Sequence, residues 1–204
     1  GLRMQLHLAE TEEEGESCLD RTGLSQAELL SAHRLFAVSA TATGCVAMTE
    51  TNRKILGKKG VSAVSTPIAY GKQGLPSTPI APCVKAGMNV ALCTDGAIEC
   101  GNLDLFEVMR FTALNERAAG GDATALPAAA ALMMATVCGA RAQGRAESSG
   151  MLKEGFDADI ALVDFSAPHL MPCHNVLSAL CFSAKGGDVA MTMVRGKILY
   201  QNGQ

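Results

Sequence analysis

The sequence predicts an α/β fold, a parallel sheet with helical crossovers, followed by a small β segment. Three observations carry this. Strand-like and helix-like segments alternate four times over residues 2–120, the spacing of tandem βα units. From about Gly150 the runs become short and are separated by Gly, Pro and Asn turns, which reads as a β part. Apolar residues make up 48% of the 204-residue chain, which is enough for a core and unlike a disordered composition. A boundary near 145–150 divides the chain into an α/β part, 1–149, and a β part, 150–204.

The elements follow in order. "LRMQLHLA" is a strand, followed by the helical "SQAELLSAHRLF". Between them the acidic cluster after His7 reads either as a solvated helix start or as part of a site. "ATATGCVA" is the next strand. Its helix, "TETNRKILGKKG", has Thr49 as N-cap and Gly60 as C-cap. "VSAVST" leads through a Gly/Pro-rich loop to the helical "PIAPCVKAG". "NVALCTDG" leads to "LDLFEVMRFTALNERAAG", a long amphipathic pattern, and "PAAAALMMATVCGARAQG" is one further helix. In the β part, "FDADIALVDF", "NVLSALCFSA", "DVAMTMVRG" and "KILYQNGQ" read as short strands. The last two form a hairpin with its turn at Arg195 and Gly196.

Composition excludes several functions. Net charge is -3, there is no basic block and there is no Trp, which argues against a nucleic-acid surface. None of the eight Cys forms a C-x-x-C pair, so neither a zinc knuckle nor a redox motif is expected. Cys45, Cys93, Cys138 and Cys181 lie in apolar runs, where reduced thiols pack as small hydrophobes in a cytoplasmic protein. No signal peptide is expected, because the first residues read as a strand already under way. The Ala-rich run from Leu126 to Ala140 is too short and too weakly apolar to span a bilayer.

In parallel α/β folds, chemistry gathers at the C-terminal ends of the strands. Alternation places Gln5 and His7 on one face of the first strand and Met4 and Leu6 on the other. In "NVALCTDG", Asn89, Ala91, Cys93 and Asp95 share a face, and Val90, Leu92 and Thr94 the opposite one. Two strands therefore each end in a side chain able to bind a metal. Imidazole plus carboxylate is a normal part of a hydrolytic zinc site, and such an ion acidifies water to a pKa of about 7. Glu10, just past the strand end, could shuttle a proton. The alternative is a structural strand end followed by a solvated helix start. His33 reads as a surface or cap residue of its helix. His169 and His174 read as structural, since Pro172 breaks any helical register between them. "GKKG" and "YGKQG" do not fit a phosphate loop.

The segments "HLAETEEE", "CVAMTE", "GVSAVSTPI", "AGMNVALCTDGA", "NLDLFEVMR", "ATALPAAAALMMATVCGARAQG", "GMLKEGFDADIALVDFSAPHLMPCHN" and "KGGDVAMTMVRGKILYQNG" resemble the amidohydrolase superfamily. The likeness is to its branch of 5-methylthioadenosine/S-adenosylhomocysteine deaminases and the related triazine chlorohydrolases, and it runs in order through essentially the whole chain. It implies the second half of a (β/α)8 TIM barrel, strands five to eight, over 1–149, and part of a small β-sandwich over 150–204. It implies that His7 and Asp95 bind the metal, zinc or iron, one divalent ion per complete site. Asp95 would also take the proton from the attacking water, and Glu10 would contact the substrate ring and protonate it. The implied reaction is hydrolytic deamination of an adenine-type nucleoside in the cytoplasm by a homo-oligomer. Its substrate is a small molecule, with no nucleic-acid or membrane partner. Alternatives on the same scaffold are a chlorohydrolase, a guanine or pterin deaminase, or a non-catalytic remnant. The chain alone is expected to be inactive.

The chain departs from the family pattern at several points. It contains no His-x-His pair, the source of the family's other two metal ligands. Gly44 stands in "TGCVAMTE" where the family places a histidine. In "TPIAYGK", Pro67 and Lys72 fit the family's Asn-Pro-x-Ser-Asn-x-Lys pattern, whereas Thr66, Ala69 and Tyr70 do not. Ile98 and Glu99 replace small polar residues after "TDGA".

Overall fold

A computed structural model describes residues 2–203. The first strand, β1 (Arg3–Leu8), is followed by α1 (Glu12–Thr22) and α2 (Gln26–Ala32). The acidic cluster is thus a helix start. Thr11 caps α1, accepting from the Glu14 N–H, and Glu12, Glu13 and Glu14 fill the first turn, where carboxylates favour the helix dipole. α2 begins at a capping box, Ser25 with Glu28, and ends at His33. The predicted single helix stops there because Arg34 is left-handed and Leu35–Ala37 forms a 3-10 turn.

β2 (Ser39–Gly44) leads to α3 (Glu50–Lys58), with Thr49 as the predicted N-cap. The C-cap is Lys59, one residue before Gly60, which takes the left-handed conformation. β3 (Ser62–Ser65) is followed by α4 (Pro67–Lys72) inside the predicted loop, and by α5 (Ile80–Lys85). Pro67 at the first turn pre-sets φ for α4. After β4 (Asn89–Leu92) come α6 (Ala97–Cys100) and α7 (Leu105–Gly120), the latter capped by Asp104. The next predicted helix is two, α8 (Ala128–Ala135) and α9 (Val137–Ala142), because Thr136 departs from helical geometry at φ −118° and ψ −85°.

The first four strands form one parallel sheet in the order β1-β2-β3-β4. Its outer face carries Leu8, Ala40, Ala42, Ala63, Val90 and Leu92 into a core with Leu56, Val61, Ile80, Val108 and Met109. On the opposite face Gln5 and His7 are exposed and Thr41 and Val64 are half-buried. Parallel sheets are normally covered on both faces, and here one face is open. Tight packing outside the sheet is most evident at Gly57. A Cβ there would lie 2.2 Å from the Ala86 carbonyl oxygen, at the end of α5.

The remaining elements are β5 (Ile160–Val163), α10 (Val176–Phe182), β6 (Val189–Val194) and β7 (Lys197–Gln201). β5-β6-β7 is an antiparallel sheet, and the β6–β7 hairpin turns at Arg195 and Gly196 as predicted, both with positive φ. The predicted strand "NVLSALCFSA" is instead α10, a correction with a local cause. Asn175 accepts the Ser178 N–H as an N-cap. Cys181 is fully buried, and the Phe182 ring lies 4.7 Å under the Arg117 guanidinium of α7. Helix packing against α7 and α8 decides over the β-branched opening of the segment.

Candidate active site

His7 lies at the penultimate position of β1, on the open face, with its register partner Thr43 on β2. At Ala9 the chain turns sharply, with φ at 51°. The Ala9 carbonyl accepts from the Val46 and Ala47 N–H groups, so the strand end stays tied to the chain after β2. This turn brings Glu10 back beneath the histidine. His7 Nδ1 donates to Glu10 Oε1 at 2.8 Å. The Tyr70 hydroxyl, from α4, donates to the same oxygen at 2.5 Å. Glu10 Oε2 takes no hydrogen bond among the described residues, and His7 Nε2 is likewise without one.

The electrostatics follow from this arrangement. The bond to Glu10 raises the His7 pKa, against a smaller lowering by burial, and the charge of Asp95 adds to the rise. For Glu10, burial pushes upward, but the bonds from His7 and Tyr70 together outweigh it and hold the carboxyl below its ordinary range. Burial, and then the bond to Glu10, push the Tyr70 phenol far up. Tyr70 is therefore a protonated donor, and Glu10 an ionised acceptor.

Asp95 reaches this region by a different route from the one alternation suggests. β4 ends at Leu92, so strand periodicity no longer directs residue 95. Asp95 is left-handed, at φ 64°. Its Oδ1 accepts the Gly96 N–H at 3.0 Å, and its backbone N–H points to Cys93 Sγ at 3.4 Å. The turn leaves Oδ2 without a hydrogen bond among the described residues. Its charge acts on both His7 and Tyr70.

Among the described residues no group of three or more His, Cys, Asp or Glu comes together as a metal cluster. The donors present fit a divalent ion in part. His7 has one nitrogen held by a carboxylate and the other open, as in a ligating histidine whose free ring N–H is oriented by a carboxylate. Asp95 adds one open carboxylate oxygen. Zinc takes three or four protein ligands, so further donors must come from outside this set.

Tyr70 is not expected at the site, and Gly44 is expected there only as the place of a missing family histidine. Tyr70 and Gly44 entered the sequence reading only as departures from a pattern. Nothing in the spacing of residues 10, 44 and 70 signals that the three touch. His33 caps α2, and His169 Nε2 bonds Asp188 Oδ2 at 2.9 Å. An open depression of about 450 Å³, lined by Arg3, Gln5, Ser39, Thr41, Leu92 and Cys93 among others, runs from the starts of β1 and β2 to the end of β4. None of His7, Glu10 and Asp95 lines it.

Comparison with known proteins places these observations. The sequence profile of the amidohydrolase family matches residues 1–199. A 5'-deoxyadenosine deaminase of Methanosarcina mazei is 40% identical over 202 residues, covering 99% of this chain and 46% of that protein. A 5-methylthioadenosine/S-adenosylhomocysteine deaminase of Caldanaerobacter subterraneus is 36% identical over 201 residues, covering 98% and 46%. The crystal structure of an adenosine deaminase from Xanthomonas campestris with bound zinc superimposes with a TM-score of 0.89 at 32% identity. That match covers 97% of this chain and 45% of the other. The chain spans about half the length of the curated relatives it matches.

Proposed function

This chain belongs to the amidohydrolase family, and on that premise we propose that it is the C-terminal half, strands five to eight, of a metal-dependent aminohydrolase barrel. The reaction is hydrolytic deamination of an adenine-type nucleoside of the 5-methylthioadenosine, S-adenosylhomocysteine or 5'-deoxyadenosine class. One observation carries the proposal: His7, Glu10 and the left-handed Asp95 all lie at the C-terminal ends of one parallel sheet, with Glu10 bridging His7 and Tyr70. The names of the relatives supply the substrate class, and the zinc in the Xanthomonas structure supports a divalent ion.

In this reading His7 and Asp95 would be two of the residues that hold the ion. When bound, a divalent ion supplies acidified water and stabilises negative charge. Asp95 takes the proton of the attacking water. Glu10 holds the purine ring through Oε2 and delivers a proton to its nitrogen as ammonia leaves. The two donors on Oε1 favour the ionised carboxylate, so the proton that Glu10 gives to the ring nitrogen is recovered from the product hydroxyl as the ring carbonyl forms, while the proton taken by Asp95 passes to the departing amine and completes ammonia. His7 orients Glu10, and Glu10 in turn orients the imidazole.

The remnant reading draws on Gly44, which replaces an expected histidine. Against it stands the hydrogen-bonded cluster at the strand ends, where Glu10 is held by both His7 and Tyr70. The test is reconstitution. The 204-residue chain is co-expressed with the first barrel half of the Methanosarcina relative, and ammonia release from 5'-deoxyadenosine and 5-methylthioadenosine is measured. Deamination that is lost in both His7→Ala and Asp95→Asn is expected. A soluble, zinc-loaded hybrid that releases no ammonia from either nucleoside would overturn the reading.

A further inference from the structure

Gly44 closes β2 directly opposite Leu8, with φ at +97°. A Cβ at this position would stand 2.9 Å from Glu10 Cγ, 2.9 Å from the Tyr70 hydroxyl oxygen and 3.0 Å from the Leu8 carbonyl oxygen. Contacts so short are avoided by real side chains. The backbone cannot yield easily, because the Gly44 carbonyl accepts the hydroxyl of Thr78 at 2.6 Å and Thr78 is buried. Nor can the phenol retreat: Tyr70 is 2% exposed and sits on the helix that starts at Pro67. A side chain at residue 44 would therefore crowd the Tyr70 hydroxyl and Glu10 where they now stand, in a backbone conformation already strained for any L residue. The same holds for the histidine that family resemblance leads one to expect there.

We propose that Gly44 and Tyr70 form a coupled pair that positions Glu10: the Tyr70 hydroxyl occupies the space a residue-44 side chain would take, holds Glu10 Oε1, and leaves Oε2 to face the substrate. Tyr70 is a positioning residue, acting through Glu10. The role rests on the reading of Glu10 as the proton-transferring carboxylate; the hydrogen bond and the steric coupling do not. Without the phenol, His7 alone would orient Glu10, and one hydrogen bond leaves the carboxyl free to swing about its single anchor. With both donors on Oε1, the two carboxylate oxygens become inequivalent. One is committed to the protein and the other is available.

The chain is well suited to the test. It has no Trp and only two tyrosines. The second, Tyr200, lies on the exposed strand β7. In a Tyr200→Phe background, near-ultraviolet absorption and fluorescence report Tyr70 alone. A phenol that donates to a carboxylate absorbs at longer wavelength and is quenched in emission. Glu10→Gln is expected to shift Tyr70 absorption to shorter wavelength and raise its emission, whereas a phenol that merely filled space would not respond. Gly44→Ala is expected to produce the same spectral shift and to lower the urea midpoint. Tyr70→Phe is expected to lower the midpoint in the parent but to recover part of the loss in Gly44→Ala.

In the reconstituted barrel, Tyr70→Phe is expected to reduce kcat about tenfold, less than the roughly 10²–10⁴-fold of losing an acid–base group outright because Glu10 itself remains, with KM changed less than about twofold. A Tyr70 spectrum indifferent to Glu10→Gln would overturn the proposal, even if Gly44→Ala fails to fold. So would strictly additive midpoint shifts for the two substitutions. A parent barrel that shows the spectral signature but deaminates nothing would overturn the deaminase reading, and the positioning role with it, while leaving the hydrogen bond established.

Discussion

Replacing one glycine by alanine should change stability in opposite directions at two helical positions, for reasons visible in their surroundings. Gly57 lies within α3 and Gly15 within α1. In a helix interior alanine is favoured over glycine by about 1 kcal/mol. Around Gly15 nothing lies within 4 Å of the added Cβ, so Gly15→Ala should realise most of that gain. Around Gly57 the added Cβ would stand 2.2 Å from the Ala86 carbonyl oxygen, 3.1 Å from the Ala86 carbonyl carbon and 3.3 Å from the Gly87 carbonyl carbon. All three atoms are backbone, so no rotamer can relieve them. α3 must move away from the end of α5 by roughly 1 Å to restore an ordinary contact, and overpacking of this kind costs about 1–3 kcal/mol, occasionally more.

That movement would also disturb Leu56 and Val61, both almost fully buried beside the sheet. Because the clashing atoms are all backbone, the cost falls in the upper part of that range, about 2–3 kcal/mol, and subtracting the propensity gain leaves Gly57→Ala destabilising by about 1–2 kcal/mol. For a chain of this size that is a fall of about 2–8 °C in Tm. Gly15→Ala should raise Tm by about 1–4 °C on the same scale. Urea midpoints measured with the helical circular dichroism signal check both. A Gly57→Ala chain as stable as the parent, with Gly15→Ala stabilising as expected, would refute the close approach of α3 and α5.

Four further outcomes are expected. The isolated chain should self-associate, since its sheet ends at β1 and β4 and unpaired edges recruit other chains; a well-behaved monomer in sedimentation would count against the half-barrel reading. Zinc should be lost from the isolated chain on dialysis against a mild chelator, because His7 and Asp95 supply two donors where zinc takes three or four; one retained equivalent per chain would contradict this. In the metal-free chain the His7–Glu10 pair has a defined pH window. The raised His7 pKa contributes stability that is complete below 6.5 and lost as pH rises through the folded value. The lowered Glu10 pKa contributes stability that is present above 4.5 and lost as pH falls through the folded value. The stability difference between parent and His7→Gln should therefore peak between these two ordinary values and shrink on either side; a pH-independent difference would show that the pair is not formed. Finally, Asn175→Ala should destabilise α10 by about 1 kcal/mol through loss of its cap, and an unchanged urea midpoint would argue against that helix.

Local signals along the sequence account for the four parallel strands, the β6–β7 hairpin and the strand end that carries His7. These are local properties: apolar alternation, a turn with two positive-φ residues, and caps such as Thr49 that satisfy helix ends from neighbouring positions. Family resemblance added the chemistry, because eight motifs in order say what spacing alone cannot. The tertiary structure decided the rest. α10 reads as a strand until its packing against α7 and α8 is seen, since burial of Cys181 and Phe182 outweighs the preference of a short segment. The split between α8 and α9 rests on a single backbone geometry at Thr136 that no composition announces. Alternation along β4 does not govern Asp95, which lies beyond the end of that strand in a left-handed turn. Above all, the contact among Glu10, Gly44 and Tyr70 joins three separate βα units. A missing side chain on one strand end and a tyrosine after the next are unremarkable apart. Only the parallel packing of β1, β2 and β3 brings the phenol into the space above the glycine, where it can hold the carboxylate.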